Sequence, residues 1–277
     1  MNKNIEEELR RRYNPEGSTL RKQQNKMFEI LILIDKLCEK YKINYWLSDG
    51  TLLGAVRHGG FIPWDDDLDI NMMKSDYLKF IEIAKVELPS NLKIQTHETD
   101  KGYYFTYGKI RDLDSILYED GKSDRYFKYK GIYVDIFPME YTSPPLSKFS
   151  AYWHWRTVLR LSFLKNDRLG IKEKLNHTLF ILSNAIYSLF NYIDKIFKNN
   201  ELSSAYGSQF LSRYPNDVIF PLSKIEFEGH TFNAPNNPDE YLRILFGNYL
   251  ELPEESARMT HVLNIVFTTD CYSISCM

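Results

Sequence analysis

Apolar residues in the first part of the chain fall at helical spacing and then in short strand-like runs. From Leu20 to Tyr41 they recur every three or four residues, which predicts one long helix with an apolar stripe. The run from Ile43 to Leu47 predicts a buried strand, and Thr51 to Val56 fits a short helix. Before them, residues 1–19 are charged and contain Pro, Gly and Ser, so we expect a flexible or loosely docked arm.

The pattern continues as a helix followed by several strands. Ser75 is a suitable N-cap for a helix that runs to about Leu88, where Pro89 ends it. Strands are predicted at residues 92–96, 103–111 and 131–138, and residues 115–118 are a candidate pairing partner for the second of them.

The composition changes at Pro144 and Pro145, which mark the first boundary between regions. Residues 146–200 are rich in aromatic residues and Leu, and an apolar helical stripe from Leu179 to Ile196 is flanked by lysines. Such a stripe usually belongs to a core, so this region could cover the preceding residues 20–143. A basic amphipathic helix could instead lie on an anionic membrane surface.

Residues 201–277 form the last predicted region, which we expect to pack on residues 20–143. Its pattern predicts a hairpin around Glu228 and Gly229 and then a helix through Phe246. Residues 262–277 show no pattern that predicts an element.

Charge and cysteine content narrow the class of protein. The 277 residues carry a formal net charge of −2, which gives no support to nucleic acid as a partner. Cys38, Cys271 and Cys276 share no metal-ligand spacing, which favours a reducing compartment. The first residues lack the apolar segment of a signal peptide, and no stretch of ~18 uncharged apolar residues is present. We therefore expect a cytoplasmic protein, free or bound peripherally to the cytoplasmic face of a membrane.

A turn between the first strand and the short helix is the first candidate binding feature. Gly50 and Thr51 begin the helix, so its unpaired backbone N–H groups and the Thr51 hydroxyl could hold a phosphate. Arg57 and His58 end the helix and are further candidates for phosphate contacts. Taken alone, Gly50-Thr51 fits an ordinary turn better than a binding loop.

The acidic run after Trp64 strengthens the case for chemistry. Asp67 and Asp69 share one face of the predicted strand, and Asp65 has the same parity within the preceding loop. Carboxylates that converge repel each other unless a cation lies between them, and such oxygen ligands favour Mg²⁺ or Mn²⁺. A solvated acidic loop is the alternative. An EF-hand loop is excluded, because Ile70 stands where Gly is required and Asp76 where Glu is required.

Three more charged residues lie on predicted strands. Lys109 and Arg111 share a face and could bind a phosphate, or they could form a surface pair with the nearby Asp112 and Asp114. Asp135 lies inside an apolar run, where an unpaired carboxylate is costly. It therefore needs a partner, which could be a metal shared with the acidic run or an arginine such as Arg111.

The turn and the acidic run belong to one stretch that closely resembles the signature of the LicD family, phosphotransferases of the nucleotidyltransferase superfamily. The matching residues are 45–58, Tyr-Trp-Leu-Ser-Asp-Gly-Thr-Leu-Leu-Gly-Ala-Val-Arg-His, and 60–70, Gly-Phe-Ile-Pro-Trp-Asp-Asp-Asp-Leu-Asp-Ile. Fukutin-related proteins look like distant members with the same acidic strand. The resemblance implies an α+β fold, with a nucleotidyltransferase-like mixed sheet and flanking helices, plus a mainly helical second region.

The resemblance also implies a reaction. LicD relatives transfer phosphocholine from CDP-choline, and distant relatives transfer ribitol phosphate, so this chain should transfer a phospho-alcohol from a CDP-linked donor to a glycan hydroxyl and release CMP. Asp67, Asp69 and Asp135 would be catalytic and would hold Mg²⁺ or Mn²⁺ with support from Asp65. Asp135 matches the third carboxylate of the superfamily by resemblance, and it could accept the proton of the acceptor hydroxyl.

Two other functions remain open at this point. A glycosyltransferase can also use an Asp-x-Asp pair, although such folds usually place a nucleotide-binding region of ~100 residues before it. A metal-stabilised, non-catalytic module at the membrane surface is the second alternative.

Residues near the end add a weaker resemblance. Residues 246–255 are similar to the corresponding part of LicD proteins, but members often have Asp where Asn248 stands, which weakens a metal role at this position. Whether Arg258 and His261 reach the site is open.

Overall fold

The computed structural model describes residues 3–119, 126–163, 169–194, 200–258, 260 and 262–268. Cys271, Cys276 and His261 lie outside them. The helices are α1 Lys3–Tyr13, α2 Thr19–Tyr41, α3 Asp49–His58, α4 Lys74–Glu87, α5 Pro144–His154, α6 Arg160–Phe163, α7 Leu169–Asp194, α8 Asn216–Ile219 and α9 Pro238–Phe246, with a π-helical turn Trp155–Leu159 and a 3₁₀ turn Glu255–Ala257. The strands are β1 Tyr45–Leu47, β2 Asp69–Met73, β3 Leu92–Gln95, β4 Gly108–Asp112, β5 Ser115–Glu119, β6 Tyr133–Tyr141, β7 Glu201–Ser204, β8 Arg213–Pro215, β9 Ser223–Phe227, β10 His230–Ala234 and β11 Val262–Phe267.

A mixed sheet organises the fold. Its strands follow the order β1-β2-β6-β4-β3, with β7 and β8 added beside the far end of β6. Only β2 and β6 run parallel within this described sheet, and the other neighbours are antiparallel. Strand β6 pairs with β4 along its first half and with β7 along its last three residues, so the sheet curls around β6. This architecture is the α+β fold with a mixed sheet that the resemblance implies.

Helix α2 supplies a large part of the core beneath this sheet. Ser18 caps it by accepting a hydrogen bond from the backbone N–H of Arg21, and Lys42 ends it in the left-handed conformation. Its buried stripe comprises Met27, Ile30, Leu31, Ile34, Leu37 and Cys38. Helices α2 and α4 both contact β6, so the centre of the sheet is covered by apolar residues.

The first residues were predicted to form a flexible or loosely docked arm, and the structure shows them as a docked helix. Helix α1 is docked through Glu6, whose carboxylate contacts Nδ1 of His58 at 2.7 Å and Nε of Arg10 at 2.7 Å. Arg10 also lies 3.5 Å from the carboxylate of Glu228 in the C-terminal hairpin. Composition alone could not show this docking, because these polar contacts involve partners far along the chain.

Strand β5 also differs from its predicted pairing. It pairs with β11 in a separate two-stranded antiparallel sheet rather than with β4. Strand β4 itself begins at Gly108, because the residues before it form an aromatic cluster with Tyr103, Phe105 and Tyr107 in ring contact. Part of the unpatterned C-terminal stretch is therefore a strand.

Helices α5 and α7 lie together beside the sheet, with α7 contacting both α5 and the π-helical turn. The predicted apolar stripe of α7 faces outward: Leu182, Ile186 and Leu189 are all exposed, whereas Tyr187 and Asn191 are buried. The expectation that this stripe is part of a core is therefore wrong for these residues. Among the described residues, no helix is both long and apolar enough to cross a bilayer.

Candidate active site

The start of α3 brings the predicted turn against the acidic run. The backbone N–H of Asp69 donates a hydrogen bond to the Thr51 hydroxyl oxygen at 2.8 Å, which ties the first turn of α3 to the first residue of β2. Gly50 lies so close to Asp65 that a Cβ atom there would be 2.8 Å from Oδ2 of that carboxylate. A side chain at position 50 would therefore displace the Asp65 carboxylate.

Asp49 is a residue of this turn that the sequence analysis did not select. Its φ of 46° lies in the left-handed region, which is uncommon for a residue other than glycine. Strained backbone conformations of this kind concentrate at functional sites. The signal in the sequence was its position directly before Gly50, at the start of the helix.

Strand register brings together two of the predicted catalytic carboxylates. Asp69 on β2 is directly paired with Asp135 on β6, and Asp135 is in turn paired with Lys109 on β4. Paired residues on neighbouring strands project from the same face of a sheet. The three side chains therefore form one row across the strands.

Lys109 is the partner that Asp135 requires. Its Nζ lies 2.6 Å from Oδ1 of Asp135 and donates a hydrogen bond of 2.8 Å to Oδ2. Both side chains are buried, so the predicted surface pair with Asp112 and Asp114 is wrong. The alternative that Asp135 pairs with Arg111 is also wrong.

Arg111 stands behind this row rather than within it. Its guanidinium donates hydrogen bonds of 2.8 Å to the Gln95 side chain and to the Gly131 carbonyl. It also lies 4.3 Å from the ring centroid of Tyr133. These contacts give Arg111 a supporting role in the fold, and they do not support the prediction that it binds phosphate.

Tyr133 connects the acidic and basic parts of the site and was not selected from the sequence. Its hydroxyl donates a hydrogen bond to Oδ1 of Asp67 at 3.1 Å, while Nζ of Lys109 lies 3.4 Å from its ring centroid. A cation over an aromatic ring is stabilised by the electrons of the ring face. Tyr133 thus holds both Asp67 and Lys109 in position.

The electrostatics show an excess of negative charge. The pKa of Asp69 lies well above its usual range, because of burial and then because of the charges of Asp49, Asp67, Asp135 and Asp65. Burial raises the pKa of Asp49 to about 6, and it raises that of Asp135 to about 6 although Lys109 opposes the shift. Asp69 therefore experiences the charges of four other carboxylates, and Lys109 forms an ion pair with one of these, Asp135.

These residues fit a divalent cation. Ligand oxygens of Asp65, Asp66 and Asp67 all lie within 4.8 Å of one another. Asp69 adds its charge from the adjoining strand, and a hard cation would relieve the repulsion that raises its pKa. Mg²⁺ or Mn²⁺ therefore suits this donor set.

Asp66 belongs to this group although the sequence analysis passed over it. It is buried, its Oδ2 accepts a hydrogen bond of 2.7 Å from the backbone N–H of Val262, and its carbonyl accepts one of 2.8 Å from the Gln23 side chain. These contacts fix the acidic loop between α2 and β11. Alternation along a strand could not reveal this, because Asp66 precedes β2.

Arg57 and His58 lie at the opposite end of α3 from Gly50 and Thr51. Arg57 donates hydrogen bonds to the carbonyls of Tyr249 at 2.8 Å and Glu251 at 3.2 Å, and His58 contacts Glu6. Both side chains are buried and bound to protein groups. This placement does not support phosphate binding by either residue.

Arg258 has its contacts outside the row of Asp69, Asp135 and Lys109. Its Nε donates a hydrogen bond to the Pro253 carbonyl at 3.0 Å, and its guanidinium lies 5.0 Å from the ring centroid of Trp64. His261 lies outside the described residues.

A small cavity adjoins Asp49. Tyr214 and Tyr241 stack beside it with centroids 4.1 Å apart, and Phe137 contacts Phe210 at 5.3 Å. Its lining comprises Asp49, Asn71, Phe137, Met139, Ser204, Phe210, Ser212, Tyr214, Tyr241 and Leu245. No lysine or arginine is among these described lining residues. The cavity therefore combines aromatic rings, one carboxylate and a few uncharged polar side chains.

A mixed sheet that sets paired carboxylates beside the start of a helix defines a nucleotidyltransferase-like domain. Residues 42–166 match the family model described as LicD/FKTN/FKRP, nucleotidyltransferase domain. The chain is also 32% identical over 257 residues to the lipopolysaccharide cholinephosphotransferase LicD of Haemophilus influenzae, which covers 88% of this chain and 96% of that protein. This chain belongs to the LicD family, which confirms the prediction from the signature.

Other relatives match shorter parts of the chain. An uncharacterized protein of Rickettsia typhi, RT0683, is 34% identical over 121 residues, which span 42% of this chain and 34% of that protein. The human ribitol 5-phosphate transferase FKRP is 53% identical over 34 residues, only 12% of this chain and 7% of that protein. The similarity to the ribitol phosphate transferase is therefore local, whereas the similarity to LicD extends over most of both chains.

Proposed function

We propose that this protein transfers a phospho-alcohol, with phosphocholine the favoured group, from a CDP-linked donor to a hydroxyl of a cell-surface glycan of lipopolysaccharide, teichoic acid or capsule type. The acceptor oxygen forms a bond to the phosphorus that carries the alcohol, the bond from that phosphorus to the CMP oxygen breaks, and the acceptor hydroxyl loses its proton. The observation that carries the proposal is the register that sets Asp69 beside Asp135 and next to the start of α3.

The carboxylates and the start of α3 have separate roles in this proposal. Asp65, Asp67, Asp69 and Asp135 would hold Mg²⁺ or Mn²⁺, which neutralises charge on the donor pyrophosphate when bound. The N–H groups at Gly50 and Thr51 would contact phosphate oxygens at the start of α3.

Asp135 has a further proposed role toward the acceptor. Its carboxylate would orient the attacking hydroxyl and take its proton as the new bond forms. Lys109, 2.6 Å from Asp135, acts as a positioning residue that fixes the carboxylate and stabilises its charged form.

The cavity beside Asp49 supports phosphocholine over the other alcohols. A quaternary ammonium group is attracted to aromatic ring faces and to a carboxylate, and it forms no ordinary hydrogen bonds. The lining also holds Asn71, Ser204 and Ser212, so the preference rests on the aromatic rings and on the Asp49 carboxylate. Phe210, exposed on one side of the cavity, would have to move for the choline group to enter.

Donor preference tests the proposal directly. Purified protein is incubated with Mg²⁺ or Mn²⁺, glycan acceptors and CDP-choline, CDP-ribitol, CDP-glycerol or UDP-sugars, and the products are identified by mass spectrometry. We expect CMP release and phosphocholine on the glycan with CDP-choline. A CMP group on the acceptor would show nucleotidyl transfer instead, and a preference for CDP-ribitol would contradict the choline assignment.

The same experiment separates the two alternative functions. Sugar transfer from a UDP-sugar would identify an Asp-x-Asp glycosyltransferase. Metal-dependent stabilisation without turnover of any donor would identify a non-catalytic module. The location proposed for the reaction is the cytoplasm, at the cytoplasmic face of the membrane.

A further inference from the structure

Helix α7 buries polar and aromatic side chains on its inner side, whereas most of its aliphatic side chains are exposed on its outer side. The buried positions follow one helical stripe, and they are Asn176, Phe180, Ser183, Tyr187 and Asn191. On the other side, Leu175, Leu182, Ile186, Leu189 and Ile193 are between 44% and 61% exposed. This is the reverse of the usual arrangement for a helix at the surface of a water-soluble domain.

Hydrogen bonds fix the helix in this orientation. Asn191 donates to the buried carboxylate of Glu140 at 2.7 Å, and Asn176 donates to the Val158 carbonyl at 3.2 Å. Ser183 accepts a hydrogen bond of 2.9 Å from the indole nitrogen of Trp153. Turning α7 to bury its apolar stripe would break these bonds and leave polar groups without partners.

Helix α5 shows the same inversion. Its buried positions are Ser147, Ser150, Ala151 and His154, and the imidazole Nε2 of His154 lies 2.9 Å from the Tyr104 carbonyl oxygen. Its exposed residues include Phe149, Tyr152 and Trp153. Two packed helices that both expose aromatic and aliphatic side chains form a surface unusual for a monomer in water.

The residues around this surface indicate what covers it. Exposed basic side chains accompany the apolar ones, and they are Lys148, Arg156, Arg160, Lys172 and Lys174. Of the two acidic residues described on α5–α7, Glu173 is exposed, while Asp194 accepts a hydrogen bond from the Ser143 N–H. Apolar residues with Trp, Tyr and basic side chains are typical of segments at the lipid–water interface.

We propose that the outer face of α5 and α7 docks on the surface of an anionic lipid bilayer, with both helices lying flat. The outer stripe would enter the boundary of the acyl chains while the basic side chains contact anionic headgroups. A second copy of this chain is a poorer occupant, because it would bring like charges together across the interface. The proposal rests on the orientation of the two helices and does not depend on the transfer reaction.

Vesicle sedimentation of the full chain tests the proposal. At low salt, we expect binding to vesicles of phosphatidylglycerol and phosphatidylcholine to be at least ~10-fold stronger than to phosphatidylcholine alone, and to weaken as salt is added. Replacing Ile186→Glu together with Leu189→Glu should lower binding to the anionic vesicles at least ~10-fold, because charged groups are costly within the bilayer.

A matched variant controls for the added charge. Leu78→Glu with Val86→Glu changes two exposed apolar residues of α4, which lies on the sheet region, and should leave vesicle binding unchanged. A second pair, Arg156→Gln with Arg160→Gln, should reduce the preference for anionic vesicles without changing the apolar stripe. This pair keeps the test decisive if the α7 variant does not fold.

Several results would overturn the proposal. They are the absence of wild-type binding at low salt, an equal loss of binding in the α4 and α7 variants, and unchanged binding in the Arg156/Arg160 variant. A dimer in sedimentation velocity that becomes monomeric on Ile186→Glu with Leu189→Glu would assign the face to a second copy.

Discussion

The sheet region and the α5–α7 region both bury polar side chains, but they differ in which groups remain in an unfavourable environment. In the sheet region, the core is apolar and the acidic site gathers carboxylates whose repulsion raises the pKa of Asp69. In the helical region, the amide nitrogens of the buried Asn176 and Asn191 donate hydrogen bonds to protein oxygens, and apolar side chains remain exposed. Repulsion among carboxylates thus supports the proposal of a cation site, whereas exposed apolar surface supports the proposal of lipid binding.

Truncating one aliphatic side chain in each region should give the largest expected difference, measured as the change in the free energy of unfolding. Leu31→Ala on α2 removes a fully buried side chain and should lower the free energy of unfolding by about 2–5 kcal/mol. Leu182→Ala on α7 truncates an exposed side chain and should change it by less than about 0.5 kcal/mol. Urea unfolding measures both values, and a large loss for Leu182→Ala would mean that its stripe is packed against protein.

Removing charge from the acidic site should sharply lower activity while keeping the fold. Asp67→Asn and Asp69→Asn should each reduce turnover at least ~100-fold, about 2.7 kcal/mol in the barrier, because they weaken the binding of a metal that stabilises charge. CMP release measures turnover, and the exposed Asp217→Asn serves as the control. Near-normal turnover in either folded variant would reject the metal assignment.

The Lys109–Asp135 pair should affect turnover more than donor binding. Asp135→Asn should reduce turnover by about 30-fold with little change in the dissociation constant of CDP-choline, because the carboxylate acts mainly in the transition state. Lys109→Arg keeps a cationic partner and should retain more activity than Lys109→Met. Calorimetry and initial rates test this split, and undiminished turnover in Asp135→Asn would remove that residue from the mechanism.

The smallest expected effect is a pH dependence of stability in metal-free protein. The pKa values of Asp49 and Asp135 are raised to about 6, above the unfolded value of about 3.9, so the native state binds protons more tightly. Their contribution to stability is therefore greatest at low pH and is lost as pH rises through about 6.

Thermal unfolding with and without Mn²⁺ measures this effect. We expect Mn²⁺ to raise the Tm more at pH 7.5 than at pH 5, because protons compete with the cation for the carboxylates. Asp135→Asn should reduce the pH dependence of the metal-free protein. An equal rise in Tm on adding Mn²⁺ at both pH values would show that these carboxylates do not bind the ion.

Local patterns were sufficient for much of the fold and for the acidic part of the site. Apolar spacing predicted helix α2 and the presence of an apolar stripe on α7, and the residues around Gly50 and Asp69 predicted a strand, a turn and a short helix in the correct order. These features depend on neighbours within a few residues, which is the range that periodicity describes.

Features set by distant contacts could not be predicted in this way. The pairing of β5 with β11 joins residues far apart in the chain, and the contact between Lys109 and Asp135 depends on the register of β4 and β6. The stripe on α7 showed that one side is apolar but not whether that side faces protein or solvent. Deciding this required the hydrogen bonds of Asn176 and Asn191.

The parallel pairing of β2 with β6 also determines where relatives of this chain can change length. A slip of one residue between the two strands would turn Asp69 and Asp135 to opposite faces. Lengthening the intervening connections costs little, because the entropy of loop closure grows only with the logarithm of length. Insertions and deletions among active homologues should therefore collect between β2 and β6, while the number of residues within each of these strands stays constant.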